Sequence, residues 1–600
     1  MSAEPSPPGF LNVERSVMGR VWRPRLDAAG EARALALAQT QGCGDLLARV
    51  LAGRGVAPEA AEAYLNPTLR DLMPDPSVLR DMDAATDRLA RAVEQGEQIA
   101  VFGDYDVDGA TSAALLYEFL TAAGAPAPFI HIPDRILEGY GPNSEAIEAL
   151  RARGASLLVT VDCGTTSHEA LARAGAVGLD ALVLDHHQAP EILPEAIIVN
   201  PNRQDDLSGL GHLCAAGIVF MTLASLWREL RRRGHWTDAR PAPDLLGGLD
   251  LVALGTVADV AALKGLNRAF VVKGLQVMRG RSRTGLAALM DAARLDGPPR
   301  AWHLGFTLGP RINAGGRIGD AALGARLLTL QDSIEAAAIA RQLDLLNAER
   351  QALEKATLEV AEAEAELLLR NTNRMNCLVV AGDDWHPGVV GLIASRLKEK
   401  FKKPSFAVAF MGEKGTGSGR SLTGVDLGRA VRRAVDLGIA EKGGGHPMAA
   451  GVTVARDGLE KFRAYMNDAL EVEVAAAGTG DTLTIDAALT ARGATAELFH
   501  KVELAGPYGQ GNPEPVFVLP GHALLDASVV GADHVRARFA AGDGARINAV
   551  AFKSASTPLG AALLAGRGES FHVAARLALN SYRGAERVEA QIVDIARTRD

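Results

Sequence analysis

The stretch Val101-Phe-Gly-Asp-Tyr-Asp-Val-Asp-Gly109 sets three aspartates at strict two-residue spacing directly after the apolar run Gln98-Ile-Ala-Val-Phe102. If that run is a β-strand that continues into the acidic segment, Asp104, Asp106 and Asp108 all project to one face. Three carboxylates on one face repel one another, so a fold that gathers them needs positive charge at the same place. A divalent cation meets that need, because hard metals take carboxylate oxygens. Taken alone, the segment reads equally well as an Asp-rich turn that caps a helix in solvent.

Three further clusters favour the metal. Leu157-Leu-Val-Thr-Val-Asp162-Cys-Gly-Thr-Thr166 is a second apolar run ending in an aspartate, and Ala181-Leu-Val-Leu-Asp185-His186-His187 is a third. Asp250-Leu-Val-Ala-Leu-Gly-Thr-Val-Ala-Asp259 places one more acid among small residues. Strands are predicted at 99–104, 157–162, 181–185 and 197–200, with helices between them. That alternation implies an α/β fold with a parallel sheet and right-handed crossovers. In such sheets ligands bind at the carboxyl ends of the strands, where these acids and imidazoles lie.

The donor set also selects the metal. With Asp185 read as support for the histidines, five aspartates (Asp104, Asp106, Asp108, Asp162 and Asp259) and two histidines (His186 and His187) remain, without a CxxC pair. An oxygen-rich, nitrogen-poor site favours Mn²⁺ or Mg²⁺ over structural zinc. Five carboxylates overcharge one divalent ion, whereas two ions nearly balance them. Two ions roughly 3.5–4 Å apart clamp the attacking and leaving oxygens of a phosphoryl transfer. The expected chemistry is metal-assisted phosphoester hydrolysis. Asp104, Asp106, Asp108, Asp162, His186 and Asp259 are the expected ligands, Asp104 as a ligand or as support for one. Asp106, Asp108 and His187 are placed nearest the reaction.

The order Asp-Tyr-Asp-Val-Asp-Gly, Val-Asp-Cys-Gly, Asp-His-His, Gly-Thr-Val-Ala-Asp resembles the DHH phosphoesterase superfamily and, within it, the exonucleases specific for single-stranded DNA. Gly309-Pro-Arg311-Ile-Asn313-Ala-Gly-Gly-Arg317-Ile-Gly-Asp320 is similar to the stretch that follows the first domain of those enzymes. Trp385-His386-Pro-Gly-Val-Val-Gly391, Gly417-Ser418-Gly-Arg420-Ser421 and Gly443-Gly444-Gly445-His446-Pro-Met-Ala-Ala-Gly451 look like the DHHA1 substrate domain. Pro507-Tyr-Gly-Gln-Gly-Asn512-Pro-Glu-Pro515 resembles the opening of their oligonucleotide-binding domain. The likeness runs over about residues 40–600. It departs at Pro447, where alanine is usual, and at Ala215, where glycine is common. Neither is an expected ligand.

The resemblance implies stepwise release of mononucleotides from the 5′ end of single-stranded DNA, in repair and recombination, in company with a helicase and a single-strand-binding protein. It implies substrate contacts from Arg311, Asn313, Arg317, Ser418, Arg420, Gly444, Gly445 and His446, with His446 also near the reaction. Glycines without Cβ let a backbone approach a ligand closely, and a guanidinium offers phosphate a planar fork. Arg311 and Arg317 are read as the two ends of a loop, and one arginine held on a terminal phosphate would recognise the strand end. Any of these arginines serves equally well as an ion-pair tie between lobes.

At 600 residues the chain is expected to form several domains. The division read from sequence is an N-terminal extension and helical region (1–75), a catalytic domain (76–330), a connecting helix (331–370), a DHHA1 substrate domain (371–478) and an OB-type barrel (479–600). The stretch 333–369 is rich in Ala, Glu and Leu with no glycine or proline, hence strongly helical. Short β segments at 483–485, 516–519, 535–539, 547–552, 571–577 and 589–592 suggest a five-stranded barrel, with Phe539, Phe552 and Tyr582 as candidates for base stacking. Residues 1–15 are Pro-rich and expected to lack structure.

The net charge of −9 argues only weakly against a nucleic-acid partner, since the local field decides and the expected site itself holds five of the negative charges. Basic patches occur at Arg228 to Arg233, at Lys398 to Lys403, and at Arg536 and Arg538. Four scattered cysteines fit a reducing compartment. Without a secretory leader or a run of about 20 apolar residues, a soluble cytoplasmic protein is expected, with no membrane association. The competing readings are a DHH phosphodiesterase for short oligonucleotides or cyclic dinucleotides, a shorter pyrophosphatase, and a non-catalytic replication scaffold. The barrel speaks against the first, the length and the Ala-rich connector against the second, and the intact acids with His186 against the third.

Overall fold

Each of the strands Ile99–Gly103 and Leu157–Val161 is buried at every residue, as continuous apolar runs in a parallel sheet must be. We label the sheet strands β1 (Ile99–Gly103), β2 (Phe129–His131), β3 (Leu157–Val161), β4 (Asp180–Leu184) and β5 (Ile197–Val199). They pair in the order β2-β1-β3-β4-β5, all parallel. The computed structural model describes residues 9–371, 374–477, 481–582 and 585–598. Sequence reasoning placed four of these strands within about a residue and missed β2, a three-residue half-buried strand. With β2 outside β1, chain direction reverses between β1 and β3. That switch point opens a crevice at the carboxyl edge, and Asp104 and Asp162 follow the two strands that flank it.

The chain forms two units: residues 73–261 with 269–479, and residues 1–72 with 262–268 and 480–600. In the first, the Ala- and Glu-rich stretch forms a single 39-residue helix, Ser333–Asn371, as its composition predicts. Beyond it lies a five-stranded sheet in the order Lys442–His446, Ala449–Ala455, Lys414–Arg420, Ser405–Met411, Leu378–Asp383. Its register sets Ala449 opposite both Arg420 and His446, so these two side chains come from the same end of neighbouring strands.

In the second unit, Phe517–Val530, His534–Ala540, Arg546–Ala551, Ala585–Arg597 and Ser570–Tyr582 pair in that order, and Phe517–Val530 returns to Ser570–Tyr582 to close a barrel. The predicted segment at 483–485 is not a barrel strand. Thr482–Ile485 pairs in parallel with Val21–Pro24 from the other end of the chain. Leu37, Leu47, Val50 and Leu51 of the N-terminal helices share one core with Phe517, Phe539, Phe571 and Val573 of the barrel. Phe539 is fully buried there and offers no stacking face, whereas Phe552 is 55% exposed. The Tyr582 side chain and residues 1–8 lie outside the described residues; Phe10–Asn12 forms a short helical turn.

Candidate metal centre

The acidic segment does not continue the strand. β1 ends at Gly103, and Asp106 caps the helix Val107–Ala122, its Oδ1 accepting from the backbone N–H of Asp108 (2.8 Å) and Gly109 (3.1 Å). This corrects the expectation of three carboxylates on one strand face: a helix N-terminus with its orphan N–H groups and positive dipole end holds an acidic side chain better than further extension would. Gly109 permits the tight turn, since a Cβ there would lie 2.3 Å from the carbonyl oxygen of Asp104.

The three aspartates therefore divide. Asp104, Asp106 and Asp162 bring one oxygen each to within 4.8 Å of one another, and Asp108, His186 and Asp259 form a second group of that size. Asp162, His186 and His187 form a third that links them. His186 Nε2 lies 3.2 Å from Asp162 Oδ1, 3.9 Å from Asp259 Oδ2 and 4.0 Å from Asp108 Oδ2. Asp162 adopts a left-handed backbone (φ 61°) that L-residues avoid, a strain that clusters at functional sites. Asp259 is the C-cap of helix Leu249–Ala258, where the carbonyl end of the dipole disfavours a carboxylate.

The protein's own side chains leave these carboxylates electrostatically crowded. Burial, followed by the charge of Asp106, raises Asp108 to about 7 against the pull of the Ala215 and Ala216 N–H groups (2.6 and 2.9 Å). Burial with Asp108 and Asp106 raises Asp259 to about 9. Burial and neighbouring carboxylates push Asp104 and Asp162 well above the usual range. Burial, then the His187 charge, lowers His186 to about 4, leaving a neutral ligand imidazole. Asp104 Oδ1, Asp162 Oδ1 and His186 Nε2 are buried without a hydrogen-bond partner. Unpaired buried acceptors on two of five crowded carboxylates and on an imidazole are what divalent cations would satisfy, so the residues fit Mn²⁺ or Mg²⁺.

Asp185 is already occupied: its oxygens accept from the N–H groups of His186, His187 and Thr165 and from His187 Nδ1 (2.8 Å). Although burial opposes it, this bond holds His187 up at about 9. Asn202 and Asn200 donate to the carbonyls of His186 and His187 and so fix the tip of β4.

The glycine-rich stretch 309–318 is a helix, not a loop, with Pro310 in its first turn. Arg311 is tied to Asp344 of the long helix (2.9 Å) and to the Thr307 carbonyl, which is the lobe-tying role. Arg317 is different. It donates to the Gly388 carbonyl (3.0 Å), and burial beside Arg135, Arg350 and Arg420 lowers it to about 10. Arg420 bonds Ser418 Oγ (2.9 Å) and the Gly419 carbonyl and is lowered by burial and by Arg135. Asn313 is half-buried on the same helix as Arg317. The His446 ring stacks 6.3 Å from that of His187, Gly444 borders open space, and Gly445 (φ 140°) packs on Ala449.

Sequence reasoning missed Arg135, Tyr140 and His386. Arg135 lies 4.9 Å over the ring of Tyr105, between Asp104 and Asp106, and lines a cavity of about 160 Å³ with Arg317, Gly319 and His386. Tyr140 Oη reaches the Asp162 carbonyl and His187 Nδ1. Both follow β2 at the carboxyl edge, a position recognisable only once β2 is recognised. The basic patch at Arg228 to Arg233 is mostly neutralised by Asp75, Asp87, Glu94 and Glu229.

A parallel sheet with acids at its switch point, joined by a long helix to a second α/β domain, defines the DHH class of phosphoesterases. The sequence patterns of the DHH family N-terminal domain (98–256), the DHHA1 domain (374–472) and the RecJ OB domain (485–594) all match. The chain is 36% identical to the single-stranded-DNA-specific exonuclease RecJ of Salmonella typhimurium, over 85% of this chain and 89% of that protein. It is 35% identical to the RecJ of Escherichia coli, over 90% and 93%. The crystal structure of Thermus thermophilus RecJ with Mn²⁺ superposes with a TM-score of 0.77 at 32% identity, covering 95% of this chain and 78% of that one. A Mg²⁺ complex of the same protein matches with a TM-score of 0.72. This chain belongs to the RecJ family of single-stranded-DNA-specific exonucleases.

Proposed function

We propose that this chain degrades single-stranded DNA from its 5′ end, releasing mononucleotides by two-metal phosphodiester hydrolysis in DNA repair and recombination. The observation that carries it is the pair of acidic groups with unpartnered buried ligand atoms, bordered by Arg317 and Arg420, whose hydrogen bonds go to backbone carbonyls and to Ser418 Oγ. Asp104, Asp106 and Asp162 would hold one ion and Asp108, His186 and Asp259 the other, with Asp162 also close to His186. When bound, two such ions supply positive charge for the reacting oxygens and a water of lowered pKa. Asp185 keeps His187 cationic, so its imidazolium is a donor toward a phosphate oxygen. His446, lowered by burial and by the His187 charge, stays neutral.

Arg135 and Arg317, which line the cavity with Asp134 and His386, and Arg420, bonded to Ser418 within electrostatic reach of both, would together grip a strand's terminal phosphate, with Asn313 and Gly444–Gly445 beside the path. Arg317 keeps its charge at any working pH even when lowered to about 10. The five-part division is retained as a functional proposal: residues 371–478 complete the substrate pocket, and the barrel at 479–600 adds grip through Arg536, Arg538 and the exposed Phe552. Among the described residues no helix is long and apolar enough to cross a membrane. Membership of this family supports, as part of the proposal, a cytoplasmic location and action beside a helicase and a single-strand-binding protein. A time course on end-labelled single-stranded and duplex DNA, with and without a 5′ phosphate, tests the reading. Labelled mononucleotide should appear only from the 5′ end of single strands; release from 3′ ends or from blunt duplex would overturn it.

A further inference from the structure

The two helices that carry the second metal group run in opposite senses. Val107–Ala122 starts beside Asp108, whereas Leu249–Ala258 ends at Asp259. Their far ends meet at one buried arginine. Arg283 donates through Nε and Nη2 to both oxygens of Asp250 (2.9 and 3.1 Å), and through Nη1 to Glu118 and to the Leu328 carbonyl. The Arg283 and Asp250 side chains are 10% and 3% exposed. At 1.5 Å rise per residue this clamp stands about 14–15 Å from Asp108 and Asp259.

Apart from Asp250 and Thr256, whose hydroxyl returns to the Val252 carbonyl of its own helix, helix Leu249–Ala258 buries only apolar residues: Leu249, Leu251, Val252, Ala253, Leu254 and Gly255. Gly255 lets it lie close to its neighbours, since a Cβ there would meet Asp108 Oδ1 and Thr111 Oγ1 at 2.7 Å. Close approach is thus fixed, but small apolar surfaces specify sliding along the axis poorly. Buried ionic groups add little net stability, and their best-attested use is to set register.

We propose that Arg283 is a positioning residue that, by clamping Asp250 to Glu118, sets the axial register of the two helices and hence the spacing of Asp108 and Asp259 around the second metal ion. This rests on the two-metal reading above. A slip of one residue moves Asp259 by about 1.5 Å, whereas metal–ligand distances tolerate about 0.2 Å. Of Asp104, Asp106 and Asp162, only Asp106 touches a clamped helix, as the N-cap of Val107–Ala122, and none lies on helix Leu249–Ala258, so the clamp acts chiefly on the ion that Asp259 would hold.

The test is stepwise Mn²⁺ binding by calorimetry on metal-stripped full-length protein, without substrate. Wild-type protein must first show two steps; fewer would strike the two-metal reading itself and not the clamp. Arg283→Met alone strands two buried carboxylates, so the informative variant is the neutral triple Arg283→Met, Asp250→Asn, Glu118→Gln. It should unfold cooperatively, keep one Mn²⁺ step within twofold of wild type and lose at least tenfold in the other. Arg283→Lys, which keeps charge without the fork, should fall between, and carries the same criterion if the triple variant does not fold. Both steps unchanged, or both weakened alike, would overturn the proposal.

Discussion

The crevice at the carboxyl edge of the parallel sheet and the buried polar groups around the barrel handle the same problem in opposite ways. Around the barrel, Asp486 accepts from Arg25, from Arg54 and from the Val516 N–H, while Asp594 accepts from the indole of Trp22 and the N–H groups of Met18 and Ile595. Every such acid has its partners within the fold. At the sheet edge, five carboxylates crowd together, the pKa values of Asp104, Asp108, Asp162 and Asp259 rise and three ligand atoms stay unpaired. Burial of charge is common to both. Internal satisfaction marks a structural group, and its absence marks a place built for something the chain does not itself supply.

The sharpest way to break this contrast is to delete one acid of each kind. Asp106→Ala or His186→Ala should abolish hydrolysis, by at least a thousandfold, while the protein still unfolds cooperatively; for Asp106 the lost N-cap costs about 1 kcal/mol, offset in part by relief of carboxylate repulsion. Retained turnover would remove the metal assignment. Asp486→Ala should do the reverse: it leaves the nearly buried Arg54 without its carboxylate and should cost about 3–5 kcal/mol of stability in chemical denaturation, with activity per folded molecule on short strands preserved. A drop in specific activity larger than the loss of folded protein would contradict the structural reading.

A smaller effect separates the two regions by pH. Metal-free, the fold holds Asp108 at about 7 and Asp259 at about 9, against about 4 in the unfolded chain. The folded state therefore retains protons that the unfolded state releases. The associated stability is present below about pH 4 and is lost as pH rises toward 9. The melting temperature of EDTA-treated protein should fall by several degrees from pH 5 to pH 8, and saturating Mn²⁺ should remove that slope; a slope unaffected by Mn²⁺ would place its origin elsewhere. Least of all, Phe552→Ala should weaken binding of long single strands about fivefold or more, as expected for loss of one stacking face, without changing cleavage of short ones. Equal loss on both would make the barrel merely structural.

What the sequence made legible follows from locality. Apolar runs ending in Asp162 or Asp185 announce buried parallel strands, and a stretch free of glycine and proline announces a long helix. Asp106 was misplaced because a helix N-cap and a strand extension share the same residues until the chain turns. Arg135 was missed because its importance depends on where a three-residue strand inserts in the sheet. The pairing of Val21–Pro24 with Thr482–Ile485 joins opposite ends of the chain, and no local pattern foretells it. It also means that removing 480–600 would strip the N-terminal helices of their core, so point substitutions on the barrel surface are the cleaner probe.

The central claim is that unsatisfied charge at the sheet edge is a seat for two divalent ions. Protein stripped with EDTA should be inactive, bind two Mn²⁺ per chain, and regain hydrolysis of single-stranded DNA with Mn²⁺ at least as well as with Mg²⁺. Turnover without metal, a single Mn²⁺ per chain, or restoration by Zn²⁺ alone would contradict it.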